Sequence, residues 1–264
     1  MAKQLKYIDA LDENGEGILI LALYDRCSPR DTPKQRAAKH KASSAAQRRM
    51  NQISSQQQLE LRLAMNFPTP GSGLVVTLTH DDDHMPGSRK EAQLRFKYFL
   101  KKLRAARKAA GLPEPVAFWA PEILTSASGR WHQHIVIDNT GHDYEMIRRC
   151  WIYGSEIEIE KLRVDDEKNH ETLARYMTKE LRECQEYETR PGLHGWSCTR
   201  NAQKPTVETV TVPDDYEIPT PEGCVVLIDE TRRTEWSSWR VVKVRISGAV
   251  RRLLPRARRR RRRR

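Results

Sequence analysis

The sequence has no apolar run long enough to span a membrane. Its longest, Gly17 to Tyr24, covers eight residues, against roughly 20 for a helix that crosses a bilayer. That run is also too short and too far along the chain for a secretory signal. No membrane partner is therefore expected. The five cysteines (Cys27, Cys150, Cys184, Cys198, Cys224) are odd in number, and no two stand in Cys-x-x-Cys spacing. This gives no zinc knuckle and no disulfide framework, and a reducing cytoplasm is the expected compartment. There is no Gly-x-x-x-x-Gly-Lys-Ser/Thr phosphate loop, so an ATP-driven helicase is not expected within this chain. No internal repeat is present.

Positive charge is abundant. The formal net charge is +12, of which 7 come from the run Arg258–Arg264, so the rest of the chain carries +5. The run reads as a disordered tail at 258–264, suited to nucleic acid, a membrane surface or an acidic partner. An end with no selected role is the alternative. Hydrophobic content of 38% against 31% charged residues supports a modest core with polar arms.

Along the chain, Ile18 to Leu23 reads as a short strand. Pro33 to Asn66 then reads as a basic helix containing Arg48 and Arg49, closed by two prolines and Gly71. A regular alternation follows. Leu74–Thr79 is a β-branched strand. Ser88 caps a helix to about Ala110, and Val116 to Glu122 is a second strand. Ser126–Gly129 is a hairpin-type connection to a third strand, from Gly129 to Asp138. Tyr144 to Ile152 is helical, Ser155–Lys161 alternates as a fourth strand, and Glu171 to about Glu186 is a further helix. The expected fold is α+β: a ferredoxin-like, RRM-like βαββαβ core with a largely antiparallel central sheet. An N-terminal basic helix and a C-terminal extension complete it. The corresponding segments are 1–70 (strand and basic arm), 71–190 (core) and 191–257 (extension). The extension would carry a hairpin from Cys224–Asp229 and Arg240–Arg245.

The chemistry concentrates on three places. His132 and His134 alternate along one strand, so both imidazoles lie on one face, where they can share a divalent ion. Isolated, such a pair is more often ordinary core or surface. Glu122 stands ten residues earlier across a hairpin, and strand pairing brings its carboxylate toward the imidazoles. Two nitrogens and one oxygen, with positions left open, suit Mg²⁺ or Mn²⁺. If the first and third strands are neighbours, Thr77 and Thr79 lie beside the histidines. Tyr176 is the candidate nucleophile. On a continuous helix Tyr176, Lys179, Glu180 and Glu183 share one face. Lys179 would stabilise a phenolate or a phosphate, and Glu180 or Glu183 would act as a second-step base. The bland alternative is an amphipathic helix whose tyrosine covers the core.

These motifs stand in a recognisable order. Val75-Val76-Thr77-Leu78-Thr79, Glu122, Gly129-Arg130-Trp131-His132-Gln133-His134 and Ala174-Arg175-Tyr176-Met177-Thr178-Lys179 resemble the motifs of the HUH endonuclease superfamily. The chain is similar to the replication initiators of rolling-circle plasmids and filamentous phages. Asn66-Phe67 and the segment Ser197 to Pro205 extend the likeness, which covers roughly residues 35–205. The resemblance implies a nick in one strand of origin DNA, with Tyr176 joined to the 5′ phosphate and a free 3′ hydroxyl left to prime synthesis. It implies single-stranded origin DNA, in hairpin form, and host helicase and polymerase as partners. Arg130, Arg175, Arg200, Lys204, Arg48 and Arg49 are the expected DNA contacts. Two departures stand out. Gln133 occupies a usually hydrophobic position, and Thr172 replaces the earlier tyrosine of two-tyrosine relatives. A second strand transfer would then need another subunit, as in a dimer, or a water activated by a carboxylate.

Other readings compete. A conjugative relaxase usually carries its tyrosines before the histidines. A single-tyrosine transposase has the right order but is typically more compact. A non-catalytic, basic nucleic-acid-binding protein would use its sheet as an aromatic platform, yet the central strands here offer threonines and histidines. His80 and His84 offer a minor zinc option. Trp196, Trp236 and Trp239 are candidates for stacking on unpaired bases, with core packing the alternative for each.

Overall fold

A computed structural model describes residues 3–12, 15–25, 45–122, 129–164, 170–180, 194–219, 223–233 and 238–246. The elements are β1 (Lys3–Leu11), β2 (Gly17–Asp25), α1 (Ala45–Asn66), β3 (Gly73–Thr79), α2 (Arg89–Ala109), β4 (Ala117–Glu122) and β5 (His132–Asp138). They continue as α3 (Asp143–Cys150), β6 (Ile157–Lys161), α4 (Glu171–Met177), β7 (Ser197–Cys198), β8 (Thr206–Val212), β9 (Val225–Arg233) and β10 (Ser238–Ile246). The fold is α+β, and the chain forms two compact units, residues 37–203 and residues 1–36 with 204–264. No helix among the described residues is long and apolar enough to cross a membrane.

The central unit contains the expected strand–helix–strand–strand–helix–strand series. Its sheet has the order β6-β3-β5-β4-β7, and every pairing is antiparallel. Local chemistry sets the boundaries. The Ser88 hydroxyl accepts from Glu91 N at 3.3 Å and starts α2. Gly111, at φ +69°, turns the chain after it, a conformation that costs glycine little.

Alternation divides the side chains of this sheet between two covered faces. Leu74, Val76, Leu78, Trp119, Ile135 and Ile137 pack against Phe96, Phe99 and Leu103 of α2 and Ile147 of α3. On the opposite face Phe118, Ala120 and Val136 pack against Leu59 and Leu63 of α1 and Ala174 and Met177 of α4. Arg107, fully buried at the end of α2, donates to Asp138 and Asp143 at 2.8 Å each and ties that helix to β5 and α3.

Two helices differ from expectation. The described part of the basic helix starts at Ala45, and residues 33–44 lie outside the described set. The helix expected over 171–186 stops at Met177. The Thr178 hydroxyl donates to the Ala174 carbonyl at 2.8 Å, and Lys179 N bonds Tyr176 O at 3.0 Å in a tight turn. Residues 181–193 and the connection at 123–128 fall outside the description, as does the Arg258–Arg264 run.

The other unit corrects the segmental division along the sequence. Segments 1–70 and 191–257 are not an arm and a separate extension. β1 and β2 join β8, β9 and β10 in one antiparallel sheet, ordered β8-β1-β2-β10-β9, while α1 belongs to the central unit. The expected hairpin exists, because β9 pairs with β10. β10 then continues onto β2, with Val242 opposite Leu21. Leu5, Leu19, Leu21, Leu23, Val242, Val244 and Ile218 form its core, which neither segment has enough apolar surface to form alone.

Candidate active site

β5 is the central element of the site. It pairs on one side with β3, with Thr77 opposite His134 and Thr79 opposite His132. On the other side it pairs with β4, with Glu122 opposite His132 and Ala120 opposite His134. Both histidines therefore project from the face covered by α1 and α4. The cross-strand threonines meet their rings: Thr79 Oγ1 lies 2.9 Å from His132 Nδ1, and Thr77 Oγ1 lies 3.4 Å from His134 Nδ1. A ring whose Nδ1–H is held by such a partner presents its lone pair at Nε2.

Glu122 is the hub. One carboxylate oxygen contacts His134 Nε2, and the other pairs with Lys179 Nζ at 2.7 Å. Its side chain is only 4% exposed. Tyr176 approaches from α4. Its hydroxyl lies 3.4 Å from His134 Nε2, and its ring meets the His134 ring edge-on at 4.9 Å. The Lys179 ammonium sits 4.2 Å from the Tyr176 ring centroid, a cation–π arrangement. Tyr176 itself is 46% exposed, so the phenol is open to a ligand arriving from solvent.

Burial sets the charge states. Removal from water, and then the neighbouring His134, hold the pKa of His132 below the usual imidazole value. Its ring is thus kept neutral, the form that binds metals. For Lys179, burial opposes the charge, but the hydrogen bond and negative charge of Glu122, with Tyr176, outweigh it and raise the pKa. The lysine stays an ammonium at neutral pH.

The donor set His132, His134 and Glu122 fits a divalent cation chemically. His134 Nε2 and a Glu122 oxygen already converge as two Lewis bases. The imidazoles stand near-parallel with centroids 6.4 Å apart, whereas two nitrogens at about 2.1 Å from one ion lie no more than about 4.2 Å apart. Among the described residues no three side chains form a closed ligand group. Metal capture would therefore tip His132 toward His134. The second candidate does not fit. His80 donates or accepts through Nδ1 at the His84 carbonyl, and His84 Nδ1 pairs with Asp81 at 2.7 Å, so these two rings serve the loop.

Glu180 departs from its expected place. On an uninterrupted helix it would flank Tyr176, but the stop at Thr178 turns it inward. Its carboxylate pairs with Arg89 Nη2 at 2.6 Å, with both side chains about 95% buried. Glu183 lies outside the described residues. Arg89 also donates to the Pro121 carbonyl at 3.4 Å, and its guanidinium lies 5.5 Å from the Trp131 ring centroid. Sequence reasoning missed Arg89, because a basic residue just after a helix cap reads as a solvated charge.

The expected DNA contacts are dispersed. Arg175 is exposed beside Tyr176, Arg49 is exposed on α1, and Arg48 is half-buried there. Arg130 pairs with Asp82 at 2.9 Å. Arg200 is exposed after β7, and Lys204 is exposed at the start of the other unit. The two outlying segments of the resemblance meet: Asn66 Oδ1 accepts from Gln203 N at 2.9 Å, and Asn66 Nδ2 donates to Gln203 O at 3.2 Å. Thr199 bonds the backbone of Ala117. That segment thus holds the end of α1 and the edge of β4 in place.

Residues 73–181 match the family of replication-associated proteins described by its ORF2 and gene 2 protein members. This span covers β3 through the Tyr176–Lys179 segment and supports a role in replication initiation. No curated protein and no solved structure matches the chain.

Proposed function

We propose that this protein is a replication initiator that nicks one strand of origin DNA, with Tyr176 as the nucleophile. The observation that carries the reading is the convergence of three elements. The Tyr176 hydroxyl of α4 stands 3.4 Å from His134 of β5, with Lys179 bridging to Glu122 of β4. His132, His134 and Glu122 are the residues that would hold Mg²⁺ or Mn²⁺. When bound, the ion would polarise the scissile phosphate and offset the charge that develops on it.

The remaining work falls to side chains. Lys179, held charged by Glu122, stabilises the phenolate as Tyr176 loses its proton to solvent. The Tyr176 oxygen forms a bond to phosphorus as the bond to the 3′ oxygen breaks. That oxygen takes up a proton and leaves as a free 3′ hydroxyl, while the 5′ phosphate stays on the tyrosine. The phosphotyrosine bond retains the energy needed for rejoining, so no ATP enters. The second transfer then uses the tyrosine of another subunit or a water activated by a carboxylate. Glu180 is committed to Arg89, which leaves Glu183 as the carboxylate for that role. Arg175, Arg130, Arg200, Lys204, Arg48 and Arg49 supply phosphate contacts, with host helicase and polymerase acting downstream.

The test is a nicking assay on single-stranded oligonucleotides tiled across the surrounding replicon. A covalent protein–DNA product that requires Tyr176, since Tyr176→Phe abolishes it, and is lost on chelation is the expected result. Cleavage that persists in Tyr176→Phe would reassign the nucleophile. Salt-sensitive binding with no cleavage of any substrate would favour the non-catalytic nucleic-acid-binding reading.

A further inference from the structure

A second recognition site lies on α1, away from the histidines. Asn51, Ser54, Ser55, Gln58 and Arg62 follow one another at helical spacing and form a stripe on one flank. With His194, Gly195 and Trp196 they line an open cleft of about 400 Å³, a volume in the range of small-ligand sites. No acidic side chain lines it. Its walls are amides, hydroxyls, one imidazole and one guanidinium, a set that hydrogen-bonds to neutral polar edges and does not concentrate charge.

The floor is fixed. Trp196 Nε1 donates to Ser55 O and Oγ at 3.2 and 3.1 Å. The Arg62 guanidinium lies over the indole, 5.4 Å from its centroid, and Nη1 reaches Cys198 Sγ at 3.3 Å. Arg62 Nε is buried and has no partner among the described residues. A guanidinium plane held flat in this way is a stacking surface for a base and a donor for a phosphate. Asn51 is exposed, and Gln58 is half-buried. Carboxamides of this kind pair with a base edge through two hydrogen bonds, most often that of adenine.

The cleft is also well placed. The next face of α1, through Leu59 and Leu63, packs against Ala174 and Met177 of the helix that carries Tyr176. A strand engaged at the phenol passes within a few nucleotides of it.

We infer that this cleft captures one unpaired nucleotide of the strand being nicked and reads its base through Gln58 and Asn51. The inference rests on the proposed function for the identity of the strand, but its test does not depend on the chemistry. Metal-free, full-length Tyr176→Phe protein is equilibrated with randomised single-stranded oligonucleotides, and the bound fraction is sequenced. Gln58→Ala and Asn51→Ala are compared in the same background after their melting temperatures are matched to the parent. The expected result is a base preference in the parent that either variant lowers roughly 5- to 100-fold at one position, the range set by one bidentate base contact. Affinity for non-preferred sequences should stay within about twofold, because phosphate contacts supply it. A parent without preference, or a preference that both variants retain, overturns the inference. Nicking by the wild type with no change in preference removes the cleft and keeps the initiator. A lost preference without any nicking does the reverse.

Discussion

Gln133 lies between the two histidines on β5 and faces the other way. It is fully buried opposite Leu78, and neither amide atom has a partner among the described residues. An unpaired buried polar group costs about 1–3 kcal/mol. Gln133→Met, similar in volume, should therefore stabilise the protein by about that amount in urea unfolding and leave nicking unchanged. A loss of stability would mean that the amide is satisfied in solution. His80 gives a second test. Burial against Trp151, together with the Arg95 charge, lowers its pKa to about 4. Between pH 6.5 and 4 the unfolded chain binds a proton that folded His80 refuses. Its contribution is complete above pH 6.5 and declines as the pH falls toward 4. His80→Asn should flatten the stability–pH profile in that window, read by urea titrations at several pH values. A slope as steep as that of the parent would assign the effect elsewhere. Neither property is legible in the sequence. Alternation told which way Gln133 points, but not what it meets there.

Elements whose ends carry local signals were easiest to read. Ser88, Gly111 and the β-branched run Val75 to Thr79 marked their boundaries directly, and the pairing of β3 with β5 placed Thr77 and Thr79 beside the histidines as expected. The stop of α4 was not readable, because a threonine bond to its own helix competes with helical continuation only in context. That stop separates Lys179, which stays with Tyr176, from Glu180, which pairs with Arg89 at the start of α2. The buried pair therefore holds the nucleophile's segment against β4. Arg89→Gln and Glu180→Gln should each slow nicking at least about tenfold while DNA affinity is kept. The double variant should be no slower than either single, since each change breaks the same contact. Additive losses would show that the two act separately. Arg107, buried between Asp138 and Asp143, binds elements without touching the site. Arg107→Met should cost about 3–5 kcal/mol of stability by leaving buried carboxylates uncompensated.

At the scale of the whole chain, charge is uneven: 7 of the net +12 lie in Arg258–Arg264. Removing the run should reduce the steepness of log K against log salt for single-stranded DNA by up to about 5, at about 0.7 per phosphate neutralised. Nicking at low salt should persist, and an unchanged slope would show that the run does not touch DNA. The sequence indicated most of the central unit, because consecutive strands and helices pack on one another. It did not indicate the other unit. β1 mixes Lys3, Lys6 and Asp9 with its apolar positions, and β8 alternates threonine and valine weakly; neither reads as a strand until its partner is known. Those partners lie far apart along the chain, as Tyr24 opposite Trp239 shows. The separation has a consequence for synthesis. When the ribosome has made β1 and β2, the Ile18–Leu23 run has one neighbour and one bare edge, and it stays so until residues 238–246 emerge. A chain cut short before Ser238 would keep that edge open, and an open, flat, apolar strand templates pairing with its own copies.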